Sequence, residues 1–506
     1  MSASSEDTAS LLRAHLAAAG IADDPQSSPW TLGPSPLGGR GVFATRDIAA
    51  GELVFRDPPL VVGPRAGRHC PPVCVGCHGG PEGLVPCSRG CGLPVCSAPC
   101  EDAPHHRHEC DRLRSWGRPG PPHDAWCPEL LRAATPVRCL ALGPLQRRVL
   151  ACMQSNPGPQ HAFEVDILKK HTTDGPGADE EAFMRLACCV MDANAFETAQ
   201  IPKAHAQRPS GLERSLSGFT PSLRGLYPLA AMMNHACTPN TRHAYDRHHV
   251  MVVRATVPIP AGTEVTNSYT SLLWGTPARR HHLALTKHFQ CACPRCADPQ
   301  EGGALLAALK CSTPACPGFI LQLTPLDEES DWACLQCGRM VTGRHGALTQ
   351  ATLGRLLGIV DCKDADQMER FLREHHLVAP PSNQIVVEVK CCLVRAYGHG
   401  DDLSWTDLTE EQLQRKESLC RELLQLLVFL GAGQCRMKGL LLYELHCTLM
   451  EMLHRRNENT NTNNDIQKCA KEALSTIEEA VEILGEDVSA PLDLMTRQRV
   501  CRKNCE

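Results

Sequence analysis

Cys291, Cys293 and Cys296 form a C-x-C-x2-C run, and about fifty residues upstream Cys237 sits in Asn234-His235-Ala236-Cys237-Thr238-Pro239-Asn240. Spacings of one and two residues are too tight for ordinary disulfide geometry, but they suit four soft thiolates converging on one tetrahedral Zn²⁺. A second block reads Cys74-x2-Cys77, Cys87-x3-Cys91, Cys96-x3-Cys100 and His106-x3-Cys110. Eight such ligands suit two structural ions, whose full shells leave no open position for water or substrate. Cys70, His105 and His108 compete for places in those shells. A third block, Cys311-x4-Cys316 with Cys334-x2-Cys337, offers a fourth ion; because its two spacings differ, two unrelated cysteine pairs are the alternative. The remaining suggestive run is Glu264-Val265-Thr266-Asn267-Ser268-Tyr269, strand-like and ending in a tyrosine, whose usual fate is to pack on its ring.

The elements that must position these residues are several. A chain of 506 residues exceeds what one hydrophobic core serves, so two to four modules are expected. With 51 basic against 56 acidic residues and a net charge of -5, nothing overall favours nucleic acid. Arg13 and His15 interrupt the short apolar stretch near the N-terminus and acidic residues precede it, so no export signal is expected. No run is long and apolar enough to span a bilayer. The thirty cysteines therefore read as zinc ligands and buried small hydrophobes of a reducing compartment, cytoplasm or nucleus. An aromatic content of 4% fits small modules held partly by metal.

Leu11 to Ala19 is a short amphipathic helix candidate, and Trp30 to Val62 reads as short strands and turns. Leu130 to Leu150 and Glu164 to Met191 read as helical, with a Gly/Pro/Asp/Glu loop around Asp174 to Glu181; a charged, Ser-rich loop follows from Ala204 to Ser217. Strand character returns at Val250 to Val253 and, after the turn Pro258 to Gly262, at Thr263 to Thr270. From about Leu348 the period is helical. Thr409-x-x-Gln412 is a capping box opening a helix with Leu419, Leu423, Leu426 and Leu430 on one face, and Gly431-Ala432-Gly433 stops it. Leu441, Leu445, Leu449 and Met452, an Asn/Thr loop from Asn457 to Asn464, then Ile466, Ala470, Ala473, Ile477, Ala480 and Leu484 suggest further antiparallel helices without a strict repeat signature.

Gly39-Arg40-Gly41-Val42-Phe43-Ala44-Thr45-Arg46-Asp47, the Asn234 to Asn240 segment, Ser268-Tyr269 and the C-x-C-x2-C tail resemble, in their usual order, the SET domain of protein lysine methyltransferases. The Cys74 to Cys110 block resembles a MYND finger inserted into that fold. Together they resemble the SET-and-MYND (SMYD) family from about Trp30 to Cys296. Cys311 to Cys337, similar to a zinc ribbon with one widened knuckle, and the phrase from Tyr269 to Trp274-Gly275-Thr276 look most like the arthropod-specific SMYD-A branch.

The resemblance implies an α+β multidomain fold: a β-rich SET domain split by an inserted zinc-binding MYND finger, with an α-helical, tetratricopeptide-like C-terminal domain. Boundaries are expected at 1–28 for an N-terminal extension, 29–69 for the first SET part, 70–112 for the finger and 113–280 for a helical insert and SET core. A post-SET zinc segment (281–297), a zinc-ribbon-like connector (298–345) and the helical domain (346–506) follow. The family's cross-brace would give Cys74, Cys77, Cys96 and Cys100 to one ion and Cys87, Cys91, His106 and Cys110 to the other.

The same resemblance implies S-adenosyl-L-methionine as cofactor, Zn²⁺ as structural metal and a protein with a target lysine, histone or non-histone, as substrate. Tyr269 matches the catalytic tyrosine at the mouth of the lysine channel. Gly39, Arg40 and Gly41 match the turn along the cofactor, with Arg40 adding side-chain contact. Asn234 and His235 match the cofactor-holding pair, Phe289 the aromatic that stacks on adenine, and Asn194 a further contact. Three departures stand out. Lys287 occupies the place of a second channel tyrosine; in the finger, Val95 stands where a tyrosine usually lies, and the tryptophan expected before the ligand histidine is absent.

Three functions compete. The first is a SET-type protein-lysine N-methyltransferase. The second is a catalytically weak or inactive adaptor recruiting protein partners through the finger and helical domain, for instance in transcriptional repression. The third, DNA binding, is disfavoured because Glu82, Glu101, Asp102 and Glu109 stand beside Arg89 and Arg107 with no basic stripe. A monomer in the cytoplasm, the nucleus or both is expected.

Overall fold

The computed structural model describes residues 4–65, 70–80, 83–117, 126–155, 162–198, 223–400, 403–458 and 463–505. Ser4 caps the first helix, Ser5–Ala18, by accepting from Asp7 N, and buried Leu12 and Leu16 hold that helix on the core. Trp30–Pro34, Arg40–Ala44, Glu264–Asn267 and Asn234–His235 form a four-stranded sheet. The first pairings are antiparallel, but Asn234–His235 runs parallel to Thr266–Asn267. Thr241–Tyr245, Met251–Ala255 and Leu53–Asp57 make a second sheet, and Val61–Pro64, Leu223–Leu226 and Phe196–Glu197 a third. Val42, Ile48, Val253, Ile259 and Val265, all nearly free of solvent contact, join these sheets in one core. The α+β, β-rich SET fold read from sequence is what the chain adopts.

The expected Leu130 to Leu150 helix is two helices, Pro128–Cys139 and Pro144–Ala151. Gly143 and Pro144 explain the break, since proline is favoured at a helix start and its ring obstructs continuation of a preceding one. Glu164 to Met191 likewise divides into Phe163–Lys170 and Ala178–Asn194; the expected loop ends early because Asp179, Glu180 and Glu181 form an acidic first turn. The Ala204 to Ser217 loop lies outside the described residues, as does the middle of the Asn457 to Asn464 loop.

The finger packs through Arg138 on the Pro128–Cys139 helix. Its guanidinium pairs with buried Glu109 and donates to Val75 O at 3.0 Å. The connector carries its own four-stranded sheet of Leu309–Lys310, Phe319–Gln322, Trp332–Cys334 and Met340–Val341.

Among the described residues seven helices follow: Gly343–Leu357, Ala365–His375, Gln384–His399, Glu410–Phe429, Arg436–Glu458, Asn463–Leu484 and Leu494–Cys505. The Thr409 box forms as read, with Gln412 N donating to Thr409 Oγ1 at 3.2 Å and Thr409 N to Gln412 Oε1 at 2.8 Å. Its helix closes by paired turns, Gly431 N to Val428 O and Ala432 N to Leu427 O, both 3.0 Å. The helical region docks on the SET sheets: Gln434 N donates to Thr256 O at 2.8 Å and Arg254 pairs with Glu486 at 2.7 Å. No helix among the described residues is long and apolar enough to cross a membrane.

Candidate active site

The Gly39 turn, the Asn234–His235 strand, Tyr269, the end of the Ala178–Asn194 helix and the Lys287–Phe289 stretch close around one cavity of about 1370 Å³. Gly39, Arg40, Asn194, Asn234, His235, Tyr269 and Phe289 all line it. Gly41 lies behind them, where a Cβ would come within 2.2 Å of Glu264 Oε1 and 3.2 Å of Asn234 Nδ2. Glycine is therefore what lets that carboxylate and that amide approach the strand.

Glu264 is the functional residue that sequence reasoning missed. Its Oε1 accepts from Asn234 Nδ2 at 2.7 Å and its Oε2 from Ser35 Oγ at 2.9 Å, while Asn234 Nδ2 also donates to Arg40 O at 3.1 Å. Both amide hydrogens of Asn234 are thus used within the protein, and Oδ1 is left to accept from a ligand. A carboxylate opening an otherwise neutral strand was the available signal.

Arg40 lines the cavity and is also anchored away from it. Its guanidinium turns to Thr8 Oγ1 and Cys152 O, both at 2.6 Å, tying the first helix to the turn. Asn194 is tied within the protein, donating to Val190 O on its own helix and to Gln154 O, 40 residues earlier, at 2.7 Å each. Phe289 keeps its ring 37% exposed, 6.0 Å from the His235 ring.

Tyr269 is fixed at both ends. Its backbone N–H donates to His235 Nδ1 at 3.0 Å and its hydroxyl to Met233 O at 2.7 Å. Burial, with Glu264 nearby, pushes the hydroxyl up to about 12, so it stays protonated. Burial likewise lowers His235 to about 4 and keeps its ring neutral. Lys287 Nζ donates to Ala193 O at 2.9 Å and lies 5.3 Å from the centre of the Tyr269 ring. Burial lowers its pKa, with Asp192 opposing the shift.

All four cysteine-rich tetrads assemble: Cys74, Cys77, Cys96, Cys100; Cys87, Cys91, His106, Cys110; Cys237, Cys291, Cys293, Cys296; and Cys311, Cys316, Cys334, Cys337. Within each, the ligand atoms lie within 4.8 Å of one another. Thiol pairs sit at 3.5 Å (Cys77 to Cys96, Cys237 to Cys296), 3.6 Å (Cys311 to Cys337) and 3.9 Å (Cys87 to Cys110). A Zn–S bond of about 2.3 Å makes the edge of a tetrahedron about 3.8 Å, whereas a disulfide needs about 2.05 Å, so the donors fit zinc.

Of the competitors for the finger, His105 instead faces Val75 O at 2.9 Å. His106 Nδ1 lies 3.6 Å from the Glu109 carboxylate, the outer contact expected of a zinc-bound imidazole. Beside the third tetrad, Arg279 donates to Cys296 Sγ at 3.6 Å and Arg295 to Cys237 O at 2.8 Å, cations suited to a surplus of thiolate charge. Cys291 and Cys293 themselves line the cavity.

Residues 39–270 match the SET domain family. Over 456 residues the chain is 34% identical to the SET domain-containing protein SmydA-8, isoform B, of Drosophila melanogaster, a match covering 88% of this chain and 96% of that one. The chain belongs to the SMYD family and is SmydA-like. It is also 31% identical over 301 residues to N-lysine methyltransferase SMYD2-B of Xenopus laevis, covering 56% of this chain and 64% of the relative. With histone-lysine N-methyltransferase SMYD3 of Mus musculus the identity is 27% over 281 residues, 53% of this chain and 61% of the relative. Within this SMYD chain the finger position Val95 is fully buried in a core that the finger shares with the helices after it, Leu130 and Val165 among them.

Proposed function

We propose that this SMYD protein is a SET-type protein-lysine N-methyltransferase that uses S-adenosylmethionine and accepts a protein, histone or other, as substrate. The observation that carries the reading is that Gly39, Asn234, His235, Tyr269 and Phe289, far apart in sequence, line one cavity. At about 1370 Å³ that cavity exceeds the roughly 300–1,000 Å³ of a usual small-molecule pocket, which suits a cofactor together with an acceptor chain. The cofactor, when bound, supplies an electrophilic methyl carbon on a sulfonium.

The chain's own residues do positioning and desolvation. Phe289 offers a half-exposed ring for the adenine, and Asn234 Oδ1 with the backbone at His235 offers polar contacts. Tyr269 commits its proton to Met233 O, so its oxygen is free to accept from the N–H of an incoming amine and hold the nitrogen lone pair toward the methyl group. The four zinc ions would be structural, the third of them fixing the segment that carries Phe289.

Labelled methyl transfer from S-adenosylmethionine to a protein extract by the zinc-loaded chain tests the reading. Tyr269→Phe should lower transfer by roughly 10²-fold or more without changing zinc content. One observation favours the adaptor reading: Lys287 lays its ammonium over Tyr269. Intact fold and zinc with neither cofactor binding nor transfer would decide for the adaptor.

A further inference from the structure

Among the described residues lining the cavity Arg40 and Lys287 are the Arg and Lys side chains, while Cys291 and Cys293 belong to the third tetrad and Glu264 lies behind the wall under Asn234. Lys287 brings a half-buried ammonium whose hydrogen-bond partner, Ala193 O, is neutral. The carboxylate that acts on it, Asp192, lies outside the lining and 3.8 Å from Arg224. Arg40 also lines the cavity, and its bonds go to a hydroxyl and a carbonyl. Among the described lining residues Glu197 is the one carboxylate, and Arg65 holds it at 3.1 Å.

A target ammonium entering such a space meets a fixed like charge beside Tyr269, in surroundings where water screens poorly. A lysine flanked by further basic residues would add to that repulsion. A carboxylate carried in beside the target lysine would pair with Lys287 and remove it.

We propose that the acceptor lysine of this protein lies in an acidic stretch, and that Lys287 selects such sequences by pairing with a substrate carboxylate. The inference rests on the methyltransferase reading and narrows its substrate class. Lys287 here determines specificity and takes no part in the transfer.

The test uses fluorescent peptides carrying one lysine flanked on both sides by Glu, Gln or Arg. Their binding to the zinc-loaded full chain is read by anisotropy, and methyl transfer to them is read separately. The Glu peptide is expected to bind roughly tenfold more tightly than the Arg peptide, with the advantage in KM rather than kcat and shrinking as salt is raised. Lys287→Arg should keep the order of preference and Lys287→Glu should invert it, each variant checked for zinc content and melting temperature. Equal binding of the Glu and Arg peptides, a preference for Arg, or an order unchanged in a folded Lys287→Glu chain would overturn the inference. If Lys287→Glu does not fold, Lys287→Gln should erase the preference, and a preference that survives would overturn it equally. Transfer without an acidic preference would sink this inference alone; an acidic preference in binding without transfer to any peptide would uphold the recognition and sink the methyltransferase reading.

Discussion

From Cys74 to Cys337, fifteen cysteines and His106 gather into four tetrads, whereas Cys391, Cys392, Cys420, Cys447 and Cys501 serve as small apolar side chains in the cores of the helical region. One residue type forms clustered donor groups in the turn-rich segments and packing on the helices, Cys139 and Cys188 of the first half included. Neighbourhood decides which. A thiol with another two to five positions away on a turn can converge on an ion, while Cys420 on its helix lies in a core with Leu423 and Leu419 and has its pKa raised by burial. The polar anchor of the helical region is of another kind: fully buried Lys416, whose ammonium meets Val394 O, Tyr397 O and Glu444 Oε2 at 2.6–2.8 Å. One half gathers donor groups that could hold metal, and the other is closed by apolar burial around an ion pair.

Chelation should break the comparison open most widely. Structural zinc contributes about 10–16 kcal/mol per site in small zinc modules, so stripping the ions should unfold the finger and connector and loosen the cofactor wall. The helical region should keep most of its far-ultraviolet signal and a separate melting transition; one transition common to both halves would show that the docking at Gln434 and Glu486 governs instead. Cys296→Ala against Cys337→Ala sharpens the contrast within the metal half. The first lies in a buried tetrad whose Cys291 and Cys293 line the cavity, so zinc and methyl transfer should be lost together. The second is exposed on the connector and should lose an ion while leaving transfer largely intact, as counted by zinc release and the transfer assay.

In the helical half, Lys416→Met leaves Glu444 buried without its cation and should cost about 3–5 kcal/mol in denaturant titrations. The same pair sets an acid limit. Burial alone would raise the Glu444 pKa, but Lys416 and His399 outweigh it and hold the carboxyl at about 2, below its ordinary 4.5. A depressed folded-state pKa means that the stabilisation is present above pH 4.5 and is lost as pH falls toward about 2, which acid melting of the helical signal would follow. The smallest effect belongs to Cys420→Ala, about 1 kcal/mol of packing with no change in zinc content, against the loss of an ion in Cys296→Ala.

Much of this was legible locally. Ligand spacing on a turn brings each pair of donors together, and the tetrads group those pairs as the family resemblance implied. The Thr409 box and the Leu419, Leu423, Leu426 face likewise depend on neighbours within two helical turns. What escaped depends on chain closure. Arg40 lines the cavity, and the anchoring of its guanidinium to Thr8 and Cys152, 32 and 112 residues away, was not legible. Glu264 gained its role from Ser35, 229 residues upstream, and from the bare Cα of Gly41.

By itself, then, the amino-acid order determined the SMYD membership, the ligand groups and the helical character of the C-terminal region, because each shows as short motifs whose residue types, spacing and order are visible along the chain. Tertiary structure alone decided which residues face the cavity. It placed Lys287 over Tyr269 against Ala193, 94 positions earlier, and set Glu264 beneath Asn234. Those contacts exist only once sheets, finger and helices have packed, since the side chains have no common neighbour before the chain folds back on itself.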